Sequence, residues 1–93
     1  MTDTLWYCYL ARCCDGSLYV GITTNLHRRM AEHNAGRGAK YTRSRRPVTL
    51  VWWERCATQS AALKREADVR TWRKSHKEAL IFNWLHASTG QVT

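Results

Sequence analysis

Two β-rich stretches on either side of an Asp-Gly turn limit what this chain can fold into more than any other feature. Leu5-Trp-Tyr-Cys-Tyr-Leu-Ala11 is rich in β-formers and apolar on both faces, the pattern of a central strand. Asp15-Gly16 is a hairpin signal, and Ser17-Leu-Tyr-Val-Gly-Ile22 is the return strand. Thr24 or Asn25 can cap a helix running to about Asn34, with Gly36 as its stop. A basic loop from Gly36 to Arg46 follows, Pro47 ends it, and Val48-Thr-Leu-Val-Trp-Trp-Glu54 supplies a third strand. Thr58 or Ser60 can cap a second helix through about Arg73, and Ser75-His-Lys-Glu78 has the form of a capping box opening a third, to roughly Leu85. The order β-β-α-β-α-α makes an α+β domain with one small sheet. With 93 residues the chain is expected to form a single domain, its core over about 5–86 and a frayed tail over 87–93.

Charge narrows the partner. Against 7 Asp and Glu stand 15 Lys and Arg, a net charge of +8. Between His27 and Arg46 lie seven cations (Arg28, Arg29, Arg37, Lys40, Arg43, Arg45, Arg46) and one acid, Glu32, so most of the excess is in this stretch. A second basic group runs through Lys64, Arg65, Arg70, Arg73, Lys74 and Lys77. Arg predominates, and its planar fork suits phosphate. A polyanion is the leading partner, with DNA first and RNA left open. Tyr41 lies among these cations, placed either to stack on an unpaired base or to pack half-buried. No long amphipathic helix pairs the charges with a bulky apolar face, and no apolar run nears the roughly 20 residues of a membrane span, so a membrane partner is not expected. The four cysteines, Cys8, Cys13, Cys14 and Cys56, contain no C-x-x-C pair and have poor spacing for zinc. They suit small thiols in a reducing cytoplasm, where the chain is expected to reside.

Polar residues fall on faces that should be apolar. At about 100° per residue, Leu26, Arg29, Met30 and His33 share one stripe of the first helix, opposite Arg28 and Glu32. Arg29 can snorkel along Met30 and His33 can be a satisfied core imidazole, or both can serve a site. In the second helix Ala62, Leu63, Glu66, Ala67, Val69 and Arg70 cluster on one side. A carboxylate there is costly unless it holds a metal or pairs with Arg70 four residues on. The chain has too few inward acids for a two-metal phosphodiesterase. A single-metal site on Glu66, with Arg29 on the phosphate and Tyr or His as the water activator, remains open.

Tyr9 and Tyr19-Val20-Gly21 resemble the two halves of the GIY-YIG nuclease signature, with Cys8-Tyr9 where Ile-Tyr is usual. Ten positions separate the tyrosines and ten more lead to Arg29, in the place of that family's helix arginine; His33 follows at i+4, and Glu66 falls where the family keeps its metal-binding glutamate. The runs Gly36-Arg-Gly-Ala-Lys-Tyr-Thr42, Arg46-Pro47, Arg70-Thr-Trp-Arg-Lys-Ser-His-Lys77 and Leu80-Ile81 are similar to small single-domain bacterial members, so the resemblance covers about 5–81. Tyr7 replaces the first Gly of the signature, and Asn83 is the candidate for the asparagine that larger members carry near the metal.

The resemblance implies a three-stranded antiparallel sheet flanked by helices and a metal-dependent endonuclease, of a structure-selective or repair type. Its one divalent ion, Mg²⁺ or Mn²⁺, would sit on Glu66, with no small-molecule cofactor. Tyr19, with Tyr9 nearby, would position or deprotonate the attacking water, Arg29 lowering the phenol pKa and stabilising phosphoryl charge, and His33 orienting Tyr or accepting a proton. Arg37, Lys40, Tyr41, Arg43, Arg45, Arg46, Arg70 and Lys77 would hold nucleic acid, on a monomer or weak homodimer. The alternative is a nucleic-acid-binding module on the same scaffold with cleavage weak or lost. A third class, a protein-interaction domain, would use exposed Trp52, Trp53, Trp72 and Trp84.

Overall fold

Trp6–Arg12 (β1) lies between Leu18–Thr23 (β2) and Thr49–Cys56 (β3) in an antiparallel three-stranded sheet of order β2-β1-β3. The computed structural model describes residues 4–90. The helices are α1 (Leu26–Asn34), α2 (Lys40–Arg43), α3 (Gln59–Thr71) and α4 (Lys74–Gly90). The architecture is the α+β domain expected, with helices flanking the sheet.

Local chemistry sets most of these boundaries. In the hairpin turn the Asp15 carboxylate accepts from the Ser17 amide at 3.0 Å and the Ser17 hydroxyl at 2.6 Å. Asn25 caps α1 by accepting from the Arg28 amide, and Thr58 caps α3 by accepting from the Ala61 amide. β1 pairs Tyr9 with Gly21 on one side and Trp53 on the other, and a bulge between Leu10 and Ala11 shifts the register with β3. The Arg46–Pro47 bond is cis. Val48, just before β3, is clamped at both backbone groups by the Asn34 side chain, 2.7 Å to its N–H and 3.0 Å to its carbonyl.

Period-two alternation splits the core. Cys8 and Leu10 join Val20, Trp52, Cys56, Ala62, Val69 and Ile81 against α3 and α4. Tyr9 and Ala11 join Cys13 and Val48 on the other face, with Leu26 and Met30 of α1 against them. β1 is therefore covered on both sides, as its sequence demands.

Four expectations are corrected. The basic loop contains a one-turn helix, α2, because the Ala39 carbonyl accepts from the Thr42 and Arg43 amides. Ser75 does not cap α4; the helix begins one residue earlier, where the Arg73 carbonyl accepts from His76 and Lys77. Glu78 instead makes a two-pronged pair with Arg12, both contacts 2.7 Å. Helix α4 also runs past Leu85 to Gly90. Of the tail expected to fray, residues 91–93 lie outside the described part. Trp52 is buried at 2% exposure, so it offers no interaction surface. All four thiols are free.

Candidate functional site

The face of β1 that meets α1 carries a closed chain of polar side chains. Tyr9, His33 and Thr42 all have 0% exposure. The Tyr9 hydroxyl lies 2.8 Å from His33 Nε2, His33 Nδ1 lies 2.7 Å from Thr42 Oγ1, and that hydroxyl lies 3.0 Å from the Ala39 carbonyl. One direction of the chain satisfies every side chain in it. With the Thr42 hydroxyl donating to the Ala39 carbonyl, its oxygen is left to accept a proton on Nδ1. The Nε2 lone pair then accepts the Tyr9 proton. The opposite tautomer would leave the Tyr9 proton facing Arg29, which has no acceptor.

Close packing holds this geometry. A Cβ on Gly21 would come within 2.6 Å of the Tyr9 hydroxyl oxygen, and one on Gly38 would collide with the His33 ring. Only glycine lets the backbone pass at either point. Tyr19 packs beside the pair, its ring centroid 5.4 Å from that of His33 and 6.4 Å from that of Tyr9.

Arg29 lies on the inward stripe as the sequence indicates, with its guanidinium beside the Tyr9 hydroxyl and 2.9 Å from Glu32. Burial, with the Arg29 charge adding to it, pushes the His33 pKa below its ordinary value and keeps the ring neutral. Burial also pushes the Tyr9 phenol up, outweighing the Arg29 charge that draws it down. Tyr9 therefore keeps its proton despite the nearby Arg29 charge.

Glu66 comes from α3, on the opposite face of the sheet. The stripe read for this helix is displaced: Ala62 and Val69 are buried, Arg65 and Glu66 half-buried, and Leu63, Ala67 and Arg70 exposed. Arg65 explains the rotation, since its guanidinium packs 5.8 Å from the Trp52 ring and 5.3 Å from Trp72 and pairs with Glu54 at 3.2 Å. Glu66 pairs with Arg70 at 3.0 Å, and its side chain is 15% exposed against 62% for Arg70. The ion-pair reading is thus realised, while the Glu66 charge is still felt at Tyr9. Among the described residues no group of three or more His, Cys, Asp or Glu is arranged to hold a metal. A lone carboxylate is a donor type that Mg²⁺ or Mn²⁺ accepts, and its partner Arg70 is the exposed member of the pair.

Tyr19, Tyr41, Arg70 and Lys77 line one open cleft of about 240 Å³ with Leu18 and Val20. Tyr19 and Tyr41 stack there, centroids 6.1 Å apart and planes 21° apart. The cations of the basic loop divide into two kinds. Arg45 is tied to Asp15 at 3.1 Å, donates to the Tyr41 carbonyl and lies 3.9 Å over the Tyr41 ring. Arg46 donates to the Arg43 and Asn34 carbonyls, closing the end of α1. Arg37, Lys40 and Arg43 are exposed and make no side-chain hydrogen bond or ion pair among the described residues. Asn83 is exposed on α4.

Sequence reasoning missed Thr42 and Asn34. Thr42 sits inside a run of cations with no periodic pattern around it, and both act through partners nine or more positions away. No local signal marks either residue.

The GIY-YIG catalytic domain model matches residues 5–79. A UPF0213 protein of Staphylococcus haemolyticus is 48% identical over 75 residues, 81% of this chain and 92% of its own. One from Natronomonas pharaonis is 51% identical over 75 residues, 81% and 88% of the two chains. Among solved structures, a UPF0213 protein from Bacillus halodurans is similar at a TM-score of 0.54 and 39% identity, over 83% of this chain and 82% of that one. A protein from E. faecalis is similar at 0.59 and 43%, over 85% and 84%. The archaeal relative shows that a purely bacterial type is too narrow an expectation. With most of its length matched by the family model, the chain belongs to the GIY-YIG family, whose UPF0213 relatives occur in bacteria and archaea alike.

Proposed function

We propose that this protein binds nucleic acid through the phosphate backbone, with α2 and the Tyr19–Tyr41 cleft as the contact face. One observation carries the reading: Arg37, Lys40 and Arg43 are exposed cations whose side chains make no hydrogen bond or ion pair among the described residues, in the segment that also supplies Tyr41 to the cleft. Ion-paired cations are half-neutralised already, whereas these three are free to displace the counterions of a polyphosphate. Lys77 adds charge to the same cleft, which Arg70 also lines. DNA is the first candidate and RNA the second, since backbone contacts do not separate them.

A second reading, hydrolysis of the bound phosphodiester, is favoured by the Tyr9–His33 pair. A fully buried imidazole kept neutral, with its lone pair on a tyrosine proton, is an arrangement for taking up a proton. Tyr19, half-exposed in the cleft, orients the attacking water. Arg29 faces the charge that grows on the phosphoryl oxygens. Glu66 would hold a single Mg²⁺ or Mn²⁺, which when bound neutralises phosphoryl charge. His33 takes up a proton through Tyr9.

Two measurements on labelled duplex DNA, single-stranded DNA and RNA separate the readings. Anisotropy without metal measures binding, and gel analysis with Mg²⁺ or Mn²⁺ measures strand cleavage, each for the parent and for Glu66→Gln. Binding by both proteins with metal-dependent product from the parent alone supports hydrolysis. Binding by both with no product from either leaves the binding module. No binding of any polymer at low salt overturns both.

A further inference from the structure

We propose that Thr42 is a positioning residue that sets the tautomer of His33, so that Nε2 is left to receive the Tyr9 proton. The inference rests on the hydrolytic reading above and adds a residue to it. Three observations carry it. Thr42 has 0% exposure although it lies between the exposed cations Lys40 and Arg43, so α2 is folded around an inward hydroxyl. That hydroxyl is committed at both ends, 3.0 Å from the Ala39 carbonyl and 2.7 Å from His33 Nδ1. Gly38, two residues before α2 begins, lets the same segment lie against the His33 ring, where a Cβ would collide.

The consequence is specific to proton handling. A neutral imidazole has one proton and two nitrogens, and the partner of one nitrogen decides the role of the other. With Thr42 accepting from Nδ1, the basic side of the ring faces Tyr9. Without that hydroxyl the Nδ1 proton has no buried acceptor, and the tautomer with Nε2 protonated becomes competitive. In that tautomer His33 already carries a proton where it should receive one. The segment presenting Arg37, Lys40 and Arg43 to a phosphate chain also presents Thr42 to His33. Backbone binding and proton acceptance thus share one piece of structure.

Nitrogen-15 NMR of histidine-labelled full-length protein reads the tautomer directly, without any cleavage. The parent and Thr42→Ser should show His33 protonated on Nδ1. Thr42→Val, close in shape but without the hydroxyl, should shift His33 toward the Nε2-protonated form. In the cleavage assay Thr42→Val should lose about tenfold in kcat, the scale typical of partners that orient a functional imidazole, with KM unchanged and Ser restoring the rate. A parent protonated on Nε2, or a Thr42→Val protein with the parent tautomer, overturns the proposal. Should Thr42→Val fail to fold, the parent and Thr42→Ser spectra still decide the tautomer. A parent with the expected tautomer but no metal-dependent cleavage sinks the hydrolytic reading alone.

Discussion

The two faces of β1 are built from alternate residues of one strand and hold the molecule together in opposite ways. Cys8 and Leu10 point toward α3 and α4 and meet apolar neighbours, among them Trp52, Val69 and Ile81. Burial there stabilises through area removed from water and is indifferent to direction. Tyr9 points toward α1 and meets His33, with Thr42 behind it. Burial of those groups is unfavourable unless every donor finds an acceptor. The first face holds the fold, and the second keeps three polar side chains dry and aligned beside a cationic segment. A domain this small can carry such a network because the other side of the same sheet is apolar.

Substitution on each face is the strongest way to break that contrast. Leu10→Ala removes a fully buried side chain and should lower unfolding free energy by about 2–5 kcal/mol. Tyr9→Phe keeps the ring but removes the donor to His33 Nε2 and the hydroxyl beside Arg29, a loss of about 1–3 kcal/mol. Urea titrations of the two variants give the comparison. A Tyr9→Phe cost equal to that of Leu10→Ala would make the polar network the main support of the fold. No cost at all would mean that the network is not formed.

The apolar face was more legible in the sequence than the polar one, for a physical reason. Central-strand character in Leu5–Ala11, the turn at Asp15-Gly16 and the caps at Asn25 and Thr58 are all local, set by residues within a few positions of each other. The inward placement of Arg29 and His33 also follows from helical period alone. What failed was non-local. Glu78 looks like half of a capping box until Arg12, on the first strand, claims it. Nothing local to Arg45 and Arg46 marks Asp15 and the Asn34 carbonyl as their partners. The stripe on α3 is displaced because Arg65 finds Trp52 and Trp72. In the candidate site, Tyr9, Tyr19, Arg29 and His33 lie together, while Thr42 is visible only once the segment after α1 is folded back.

Nucleic-acid binding sharpens the comparison at the surface. If the contact face is the one that carries α2, neutralising Arg37, Lys40 and Arg43 to Gln should shrink the slope of log affinity against log salt by roughly two to three units on duplex DNA. Neutralising Lys64, Arg73 and Lys74, exposed cations of the α3–α4 region, removes the same charge and should change the slope far less. The matched loss of net charge controls for the general field of a chain at +8. Equal slopes for the two triple variants would move the contact away from α2. Arg45→Gln should act mainly on stability, because its charge already serves Asp15 and the Tyr41 ring.

Acid titration makes the smallest distinction between the faces, and its sign follows from His33. Burial holds the His33 pKa below its ordinary value, so between the folded and unfolded values the unfolded chain binds more protons. Stability from the neutral ring is therefore fully present above about pH 6.5, the unfolded value, and is lost as pH falls below it toward the depressed folded value. The carboxyls of Asp15, Glu32 and Glu78 are also held low, Asp15 chiefly by Ser17, Glu32 by Arg29 and Glu78 by Arg12. Their contribution disappears only below their unfolded values near 4, so the range between roughly pH 6.5 and 5 belongs to the imidazole. The Cys8 thiol of the apolar face is pushed up to about 12 by burial and does not titrate in that range. Urea midpoints should fall between pH 7 and pH 5 for the parent and for Leu10→Val, and stay flatter for His33→Gln. A His33→Gln protein that loses stability with acid as steeply as the parent would show that the polar face stores no such imbalance, and that His33 is accessible to protons in the folded state.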